Sequence, residues 1–167
     1  MHALNGRAII DALKASGIRI IVSVPDITTS AGLLWPIAND PEFRHIRVCK
    51  EDEGVSICAA LSYCDQRAML MMQNTGLYDS ANAIRAIAVE YGHPVCMMIG
   101  LQGAEPDILP DQSPKYSVRI AGPMLDVLGV ERHWLRETAE TAAIPPAIDR
   151  AYARSTPVAF VIGRSPQ

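Results

Sequence analysis

The chain has 167 residues, 49% of them hydrophobic and 20% charged, with a net charge of −3 at neutral pH. That is enough for one domain with a real core, and the negative balance argues against nucleic acid as a partner. Lysine occurs only at positions 14, 50 and 115, so no polybasic membrane patch exists, and the apolar runs are too short to span a bilayer.

His2, Asn5, Arg7 and Asp11 break up the apolar residues of the N-terminus, so no signal peptide is expected. Cys49, Cys58, Cys64 and Cys96 have no metal-ligand spacing. Reduced, buried thiols and a cytoplasmic location are the expectation.

Helix and strand patterns alternate along the chain. Asn5 can cap a helix through Ser16, with Ala8, Ile9, Ala12 and Leu13 on one face and Gly17 as its stop. Ile18 to Val24 reads as a buried strand, turned by Pro25 and Asp26. Thr28 to Ser30 open a second helix that is anchored by Trp35 and ended by Asn39-Asp40-Pro41. A second strand falls at about Ile46–Cys49. Three acids follow it, Glu51, Asp52 and Glu53, then a small-residue helix pattern to Tyr63. By spacing alone the acids are a charged first turn suited to the helix dipole. The helix has no Lys or Arg from Gly54 to Tyr63, which predicts burial and puts Glu53 at the lip of an apolar interior.

Ala68 to Met72 is a third strand. Gln73-Asn-Thr-Gly76 turns into a helix to about Glu90, and Pro94–Ile99 is a fourth strand. Met69, Met71, Met72, Met97 and Met98 read as core filling in these two strands. A loop from Gly100 to Pro114 precedes a helix from Ala121 to Leu128 that Gly129 closes. His133–Glu137 reads as a short strand. Pro145 and Pro146 suit the first turn ahead of Ala147–Arg154, and Pro157–Ile162 is a last strand. Strands with continuous apolar runs, separated by helices, imply an α/β fold: a doubly wound, mostly parallel sheet with helices on both faces. One domain over residues 1–167 is expected. Ligands of such sheets meet the loops at the carboxyl ends of the strands, here Pro25–Ser30, Lys50–Glu53, Gln73–Asp79 and Gly100–Pro114. His45, His93 and His133 border strands and read as structural.

Three stretches together resemble the PYR domain of thiamine diphosphate-dependent 2-oxo acid decarboxylases, in particular sulfopyruvate and phosphonopyruvate decarboxylases. In that family one Glu ends a strand and a small-residue helix follows, with a Tyr near its end; counting from Glu53 gives Tyr63, and counting from Glu51 does not. Gln73-Asn-Thr-Gly-Leu-Tyr-Asp-Ser-Ala-Asn82 is similar to the family's Gln-Asn-Ser-Gly-Leu-Gly-Asn segment, with Tyr78 and Asp79 as departures. Val24-Pro-Asp26 resembles its Val-Pro-Asp-Ser turn, with Ile27 and Thr28 where relatives carry a serine. Gly103, Glu105, Gln112 and Leu125–Gly129 are a fainter match, and Gln102 stands where relatives often have an Arg.

The resemblance implies thiamine diphosphate as cofactor. It makes Glu53 the catalytic acid, and Pro25, Asp26, Gln73, Asn74, Thr75 and Gly76 its companions at the cofactor. Thr28, Asn82 and Gln112 are implied on the substrate side. Family members hold diphosphate and Mg²⁺ with Gly-Asp-Gly and Asn-Asn segments on a second, PP domain, and this chain contains neither segment. No metal ligand is therefore expected here. A separate PP-domain beta subunit holding Mg²⁺ is implied, in a homo- or hetero-oligomer of which this chain is the alpha subunit. Two alternatives share the fold: the PYR subunit of an acetolactate synthase-like carboligase, and a non-catalytic assembly or regulatory subunit.

Overall fold

The computed structural model describes residues 3–167. Helix α1 spans Gly6–Ala15, and the Asn5 side chain accepts from Ala8 N at its start, as the capping preference predicts. Strand β1 is Ile20–Ser23. A π-helical turn at Ser30–Leu34 leads into α2, Trp35–Ala38, and then β2, Arg44–Arg47. Helix α3 covers Glu51–Tyr63 and strand β3 Ala68–Gln73. The next crossover is broken into α4 (Asn74–Asp79), α5 (Ala81–Ala83) and a π-helical stretch, Ile84–Glu90, before β4 at Cys96–Gly100. After a long loop come α6 (Tyr116–Arg119), α7 (Ala121–Val127), β5 (Glu131–Leu135), α8 (Ile144–Arg154) and β6 (Val158–Ile162).

The six strands form one sheet in the order β2-β1-β3-β4-β6-β5, and every pairing is parallel. Successive side chains point to opposite faces, so each strand feeds two cores. Ile21, Met69, Met71, Met98 and Phe160 face α1, α2 and α8. Val22, Leu70, Met72, Met97, Ile99 and Val161 face α3, the Ile84–Glu90 stretch and α7. The methionines of β3 and β4 are at most 1% exposed. Each such side chain contributes about 1.5–3 kcal/mol by leaving water.

Several expectations shift. Both edge strands begin two residues earlier than their apolar residues suggest. Arg44 N donates to Arg19 O at 2.8 Å and Arg44 pairs with Ile20, so the register with β1 decides β2. Glu131 pairs with Val158 and sets β5 in the same way. Trp35 does not anchor the second helix; it is 62% exposed. The π-helical turn ahead of it advances the phase of the chain, so Leu33 and Leu34 go inside and Trp35 faces out. Cys58 and Cys96 are buried, but Cys49 and Cys64 are exposed, since Cys49 follows the edge strand and Cys64 caps the end of α3. Burial pushes the Cys58 thiol up to about 12 and raises Cys96 further. Both are inert.

Candidate functional site

The strand order reverses between β1 and β3, because the chain leaves β1 toward β2 and returns across it to β3. A crevice at the carboxyl ends of the strands is the consequence. The loops after β1, β3, β4 and β6 converge there, with the start of α3 beside them.

The loop after β1 is built around Asp26, which is 5% exposed. Its Oδ1 accepts Thr29 N at 2.8 Å, its Oδ2 accepts the Thr29 hydroxyl, and its carbonyl accepts the Ser30 hydroxyl. Burial holds the Asp26 carboxyl above the usual carboxylate range, with the Thr29 bonds opposing. Pro25 is exposed and Thr28 half-buried. The loop leans over the end of β4. A Cβ on Gly100 would come 2.9 Å from Asp26 Oδ1 and 3.0 Å from Thr28 Cβ.

Helix α3 is half-covered, not buried all round. Gly54, Val55, Cys58 and Ala59 go inside, while Ala60 and Tyr63 are exposed, Tyr63 at 83%. Close packing fixes its start: a Cβ on Gly54 would lie 2.4 Å from Leu70 Cδ1. Glu53 is exposed rather than at an apolar lip, and its Oε2 accepts Cys49 N at 3.1 Å and Lys50 N at 3.3 Å. That is the reach-back bond of a capping acid. The Glu53 Oε1 makes no hydrogen bond among the described residues. Glu51 points elsewhere. A Cβ on Gly76 would lie 2.3 Å from its Cγ and Oε1, so Glu51 occupies the hollow that this glycine leaves in the β3–α4 turn.

The turn itself divides into tied and free residues. Asn74 is 1% exposed; its Oδ1 accepts Gln102 N and its Nδ2 donates to Ser117 O, both at 3.1 Å. Tyr78 donates its hydroxyl to the same carbonyl. Gln73 Nε2 donates to Thr75 Oγ1 at 3.0 Å and to Gln102 Oε1 at 2.8 Å, so the β3 and β4 loops are joined by side chain and backbone together. Asn82 and Gln112 do not converge on this centre. Asn82 is exposed and accepts from Arg85, and Gln112 lies exposed in the turn Pro110–Gln112.

A cavity of about 140 Å³ opens beside Thr28 and Gln102, walled by Gly103, Ala104, Gly163 and Arg164. Larger hollows are lined by Ala3, Pro106, Asp107 and Arg164 (about 580 Å³), by Trp35, His45 and Arg47 (about 450 Å³) and by Pro25, Asp26 and Trp35 (about 420 Å³). The smaller cavity is the one that brings the loops after β1, β4 and β6 together; Arg164 lines the 580 Å³ hollow as well. Sequence reading missed three contributors: Glu51 as the neighbour of Gly76, Gln102 as the partner of Gln73, and Arg164 after β6. Arg164 follows a strand as directly as Asp26 does, so the rule that singled out the other loops reaches it too.

The all-parallel six-stranded sheet, with polar side chains gathered at its carboxyl edge, defines an α/β protein of the doubly wound class. No family model matches the chain. It is 30% identical over 138 residues to the sulfopyruvate decarboxylase subunit alpha of Methanococcus maripaludis, covering 83% of this chain and 72% of that protein. The subunit of the same name from Methanothermobacter thermautotrophicus is 28% identical over 140 residues, covering 84% and 83%. In structure the chain is similar to a 2-oxoglutarate:ferredoxin oxidoreductase from Magnetococcus marinus, with a TM-score of 0.73 and 14% identity, over 98% of this chain and 29% of that one; this likeness is one of fold. The chain belongs to the family of sulfopyruvate decarboxylase alpha subunits. Among the described residues, no helix is long and apolar enough to cross a membrane.

Proposed function

We propose that this chain, as one PYR-type domain over residues 1–167, is the alpha subunit of a cytoplasmic, thiamine diphosphate-dependent decarboxylase acting on a small 2-oxo acid of the sulfopyruvate kind. The observation carrying the reading is the junction of α3 with the β3 turn, where Glu51 lies against Gly76 and Glu53 follows two residues on. When bound, thiamine diphosphate supplies the electron sink for loss of carbon dioxide from a 2-oxo acid.

The residues present fit that group. Glu53 anchors one carboxylate oxygen on the Cys49 and Lys50 amides, which leaves Oε1 to hold a proton and pass it to the aminopyrimidine nitrogen N1′. Pro25, Asp26, Gln73, Thr75 and Gly76 form the wall around it, and Asn74 holds that wall in place through Gln102 and Ser117. Thr28 is the substrate-side residue that the cavity favours; Asn82 and Gln112 are assigned there on sequence pattern alone. Diphosphate and Mg²⁺ are given to a PP-type beta subunit. The relatives' designation as subunit alpha supports such a partner. So does the outer face of α3, where Ala60 and Tyr63 are bare and Ile57 and Leu61 half-covered.

The test is exchange of the thiamine C2 proton, followed by quenched-flow NMR in enzyme reconstituted with the PP subunit and Mg²⁺. Glu53→Gln should slow exchange by about 10²-fold or more, the usual worth of a positioned acid, and Glu51→Gln should change it little. The reverse result would move the role to Glu51. Tight Mg²⁺-dependent cofactor binding and turnover by this chain alone would overturn the two-subunit reading.

A further inference from the structure

Two arginines converge behind the 140 Å³ cavity. Arg164, just past β6, donates through Nη2 to Pro106 O at 2.8 Å, and Arg136, just past β5, donates through Nη2 to the same oxygen at 3.1 Å. Arg136 packs over Gly163, where a Cβ would lie 3.1 Å from its Cγ. The Nε atoms of both side chains are buried, and neither has a hydrogen-bond partner among the described residues. The carboxylate recorded near Arg164 is Asp107, 3.6 Å away and 94% exposed, which offers little compensation. Two guanidinium groups thus share one neutral carbonyl.

Such an arrangement is short of an anion. Guanidinium groups carry five donors in a rigid fork and are at their best against an oxyanion. Buried donors left unmatched mark a place where a charged acceptor belongs. The surroundings narrow the position. Arg164 lines the cavity together with Thr28 and Gln102, and Gln102 is tied to Gln73 of the β3 turn at 2.8 Å. Arg164 is the cation in that lining; Lys115 is turned to Gly103 O and Glu105. Resting on the decarboxylase reading, we propose that Arg164, supported by Arg136, binds the second anionic group of the substrate, a sulfonate, phosphonate or carboxylate on the carbon skeleton of the 2-oxo acid. The Pro106 carbonyl is the stand-in that this group displaces, so the Gly100–Pro114 loop settles differently when substrate is present. Arg164 is a specificity residue here, with no part in the bond-breaking step.

The test has two arms. In the first, the ¹⁵N-labelled chain is titrated with sulfoacetate, with acetate and sodium sulfate as controls, and the Arg164 Nε–H and Gly103 amide signals are followed. Saturable shifts with sulfoacetate, lost in Arg164→Met, are expected. Equal shifts with sulfate would make this an adventitious anion site, and unchanged shifts in Arg164→Met, or none in the wild type, would equally overturn the proposal. In the second arm, enzyme reconstituted with the PP subunit is assayed on sulfopyruvate and on pyruvate. Arg164→Met should raise KM for sulfopyruvate by about 10- to 150-fold, the range for losing a charge-assisted hydrogen bond, with kcat nearly unchanged and pyruvate kinetics unaltered. Arg164→Lys should recover part of the loss. Equal effects on both substrates would reduce Arg164 to a loop pin. Anion binding without decarboxylase activity would leave the anion site standing while the functional reading falls. Activity whose sulfopyruvate KM ignores Arg164→Met would do the opposite. Unfolding curves for each variant guard against a folding defect.

Discussion

Asn74→Ala tests whether the β3 turn is held by one buried amide. Asn74 is 1% exposed and bridges Gln102 N and Ser117 O at 3.1 Å each. Truncation strands both partners. Gln102 is on an exposed loop, so water can rescue its amide, and Ser117 O keeps the Tyr78 hydroxyl. Both facts pull the cost toward the low end for each bond, and a total of about 1.5–3 kcal/mol is expected. For a chain of this size that corresponds to a fall in Tm of about 3–12 °C. Asn74→Asp keeps the acceptor but sets a carboxylate against the Ser117 carbonyl. It should cost more, about 3–5 kcal/mol. The assay is urea unfolding followed by circular dichroism, with matching slopes required across the series. Asn74 and Tyr78 share one acceptor, so a double-mutant cycle with Tyr78→Phe should show a coupling of about 0.5 kcal/mol or more. An Asn74→Ala variant within about 0.5 kcal/mol of wild type, with no coupling to Tyr78, would refute the reasoning.

Two further variants probe the same edge. Burial makes Asp26 hold its proton more tightly folded than unfolded. Its contribution to stability is therefore complete below the unfolded carboxylate pKa and is lost as pH rises through the raised folded pKa. Asp26→Asn should flatten stability against pH from about pH 4 upward, and an unchanged slope would mean that this carboxyl is not the one titrating. In Gly76→Ala, the helix gains about 1 kcal/mol of propensity, while Glu51 must leave its rotamer at about 0.5–1.5 kcal/mol. Stability should stay within about 1 kcal/mol of wild type, while a crystal structure of the variant shows Glu51 turned out of the turn; a loss above about 2 kcal/mol would mean that the backbone, not Glu51, yields.

The inner strands were legible because burial on both faces leaves a continuous apolar run. Ala68 to Met72 can hardly be anything else between the polar turns Cys64-Asp-Gln-Arg67 and Gln73-Asn-Thr-Gly76. The edges were less legible. Arg44 and Arg47 flank β2 with charges that suit an exposed edge, and only pairing with Ile20 and Ser23 fixes where that strand starts. Trp35 was misplaced because a π-helical turn leaves no trace in a pattern read at one residue count per turn. The acids were legible as a group and opaque as individuals. Two positions apart, Glu51 and Glu53 project about 200° apart on a helix start, and the structure gives one to Gly76 and the other to the Cys49 and Lys50 amides. Glu53's destination is the local capping box of the turn after β2, whereas Glu51's is set by the β3 turn, a contact distant in sequence.

The buried polar side chains sort the residues of the edge by role. Ser16, Ser80 and Thr141 each hydrogen-bond a carbonyl three or four residues back. That is a local habit of hydroxyls in helical turns, and it joins nothing distant. At the carboxyl ends the bonds run between segments. Ser23 meets His45 across β1 and β2 at 2.7 Å, Asn74 joins the β3 turn to the β4 loop, and Ser113 holds Glu105 at 2.8 Å within that loop. Asp26 fastens its own turn through Thr29. A site whose loops are locked by buried bonds of this kind keeps its remaining groups in fixed positions before any ligand arrives. Among the described residues, the groups left without a protein partner are Glu53 Oε1, exposed at the start of α3, and the buried Arg164 and Arg136 Nε atoms behind the cavity. An exposed carboxyl oxygen on one side and a buried arginine pair on the other, with Gln73 and Gln102 linked between them, suits the proposed substrate, a small 2-oxo acid carrying a second negative charge. On that proposal its reactive end meets the cofactor while its far end is held by charge.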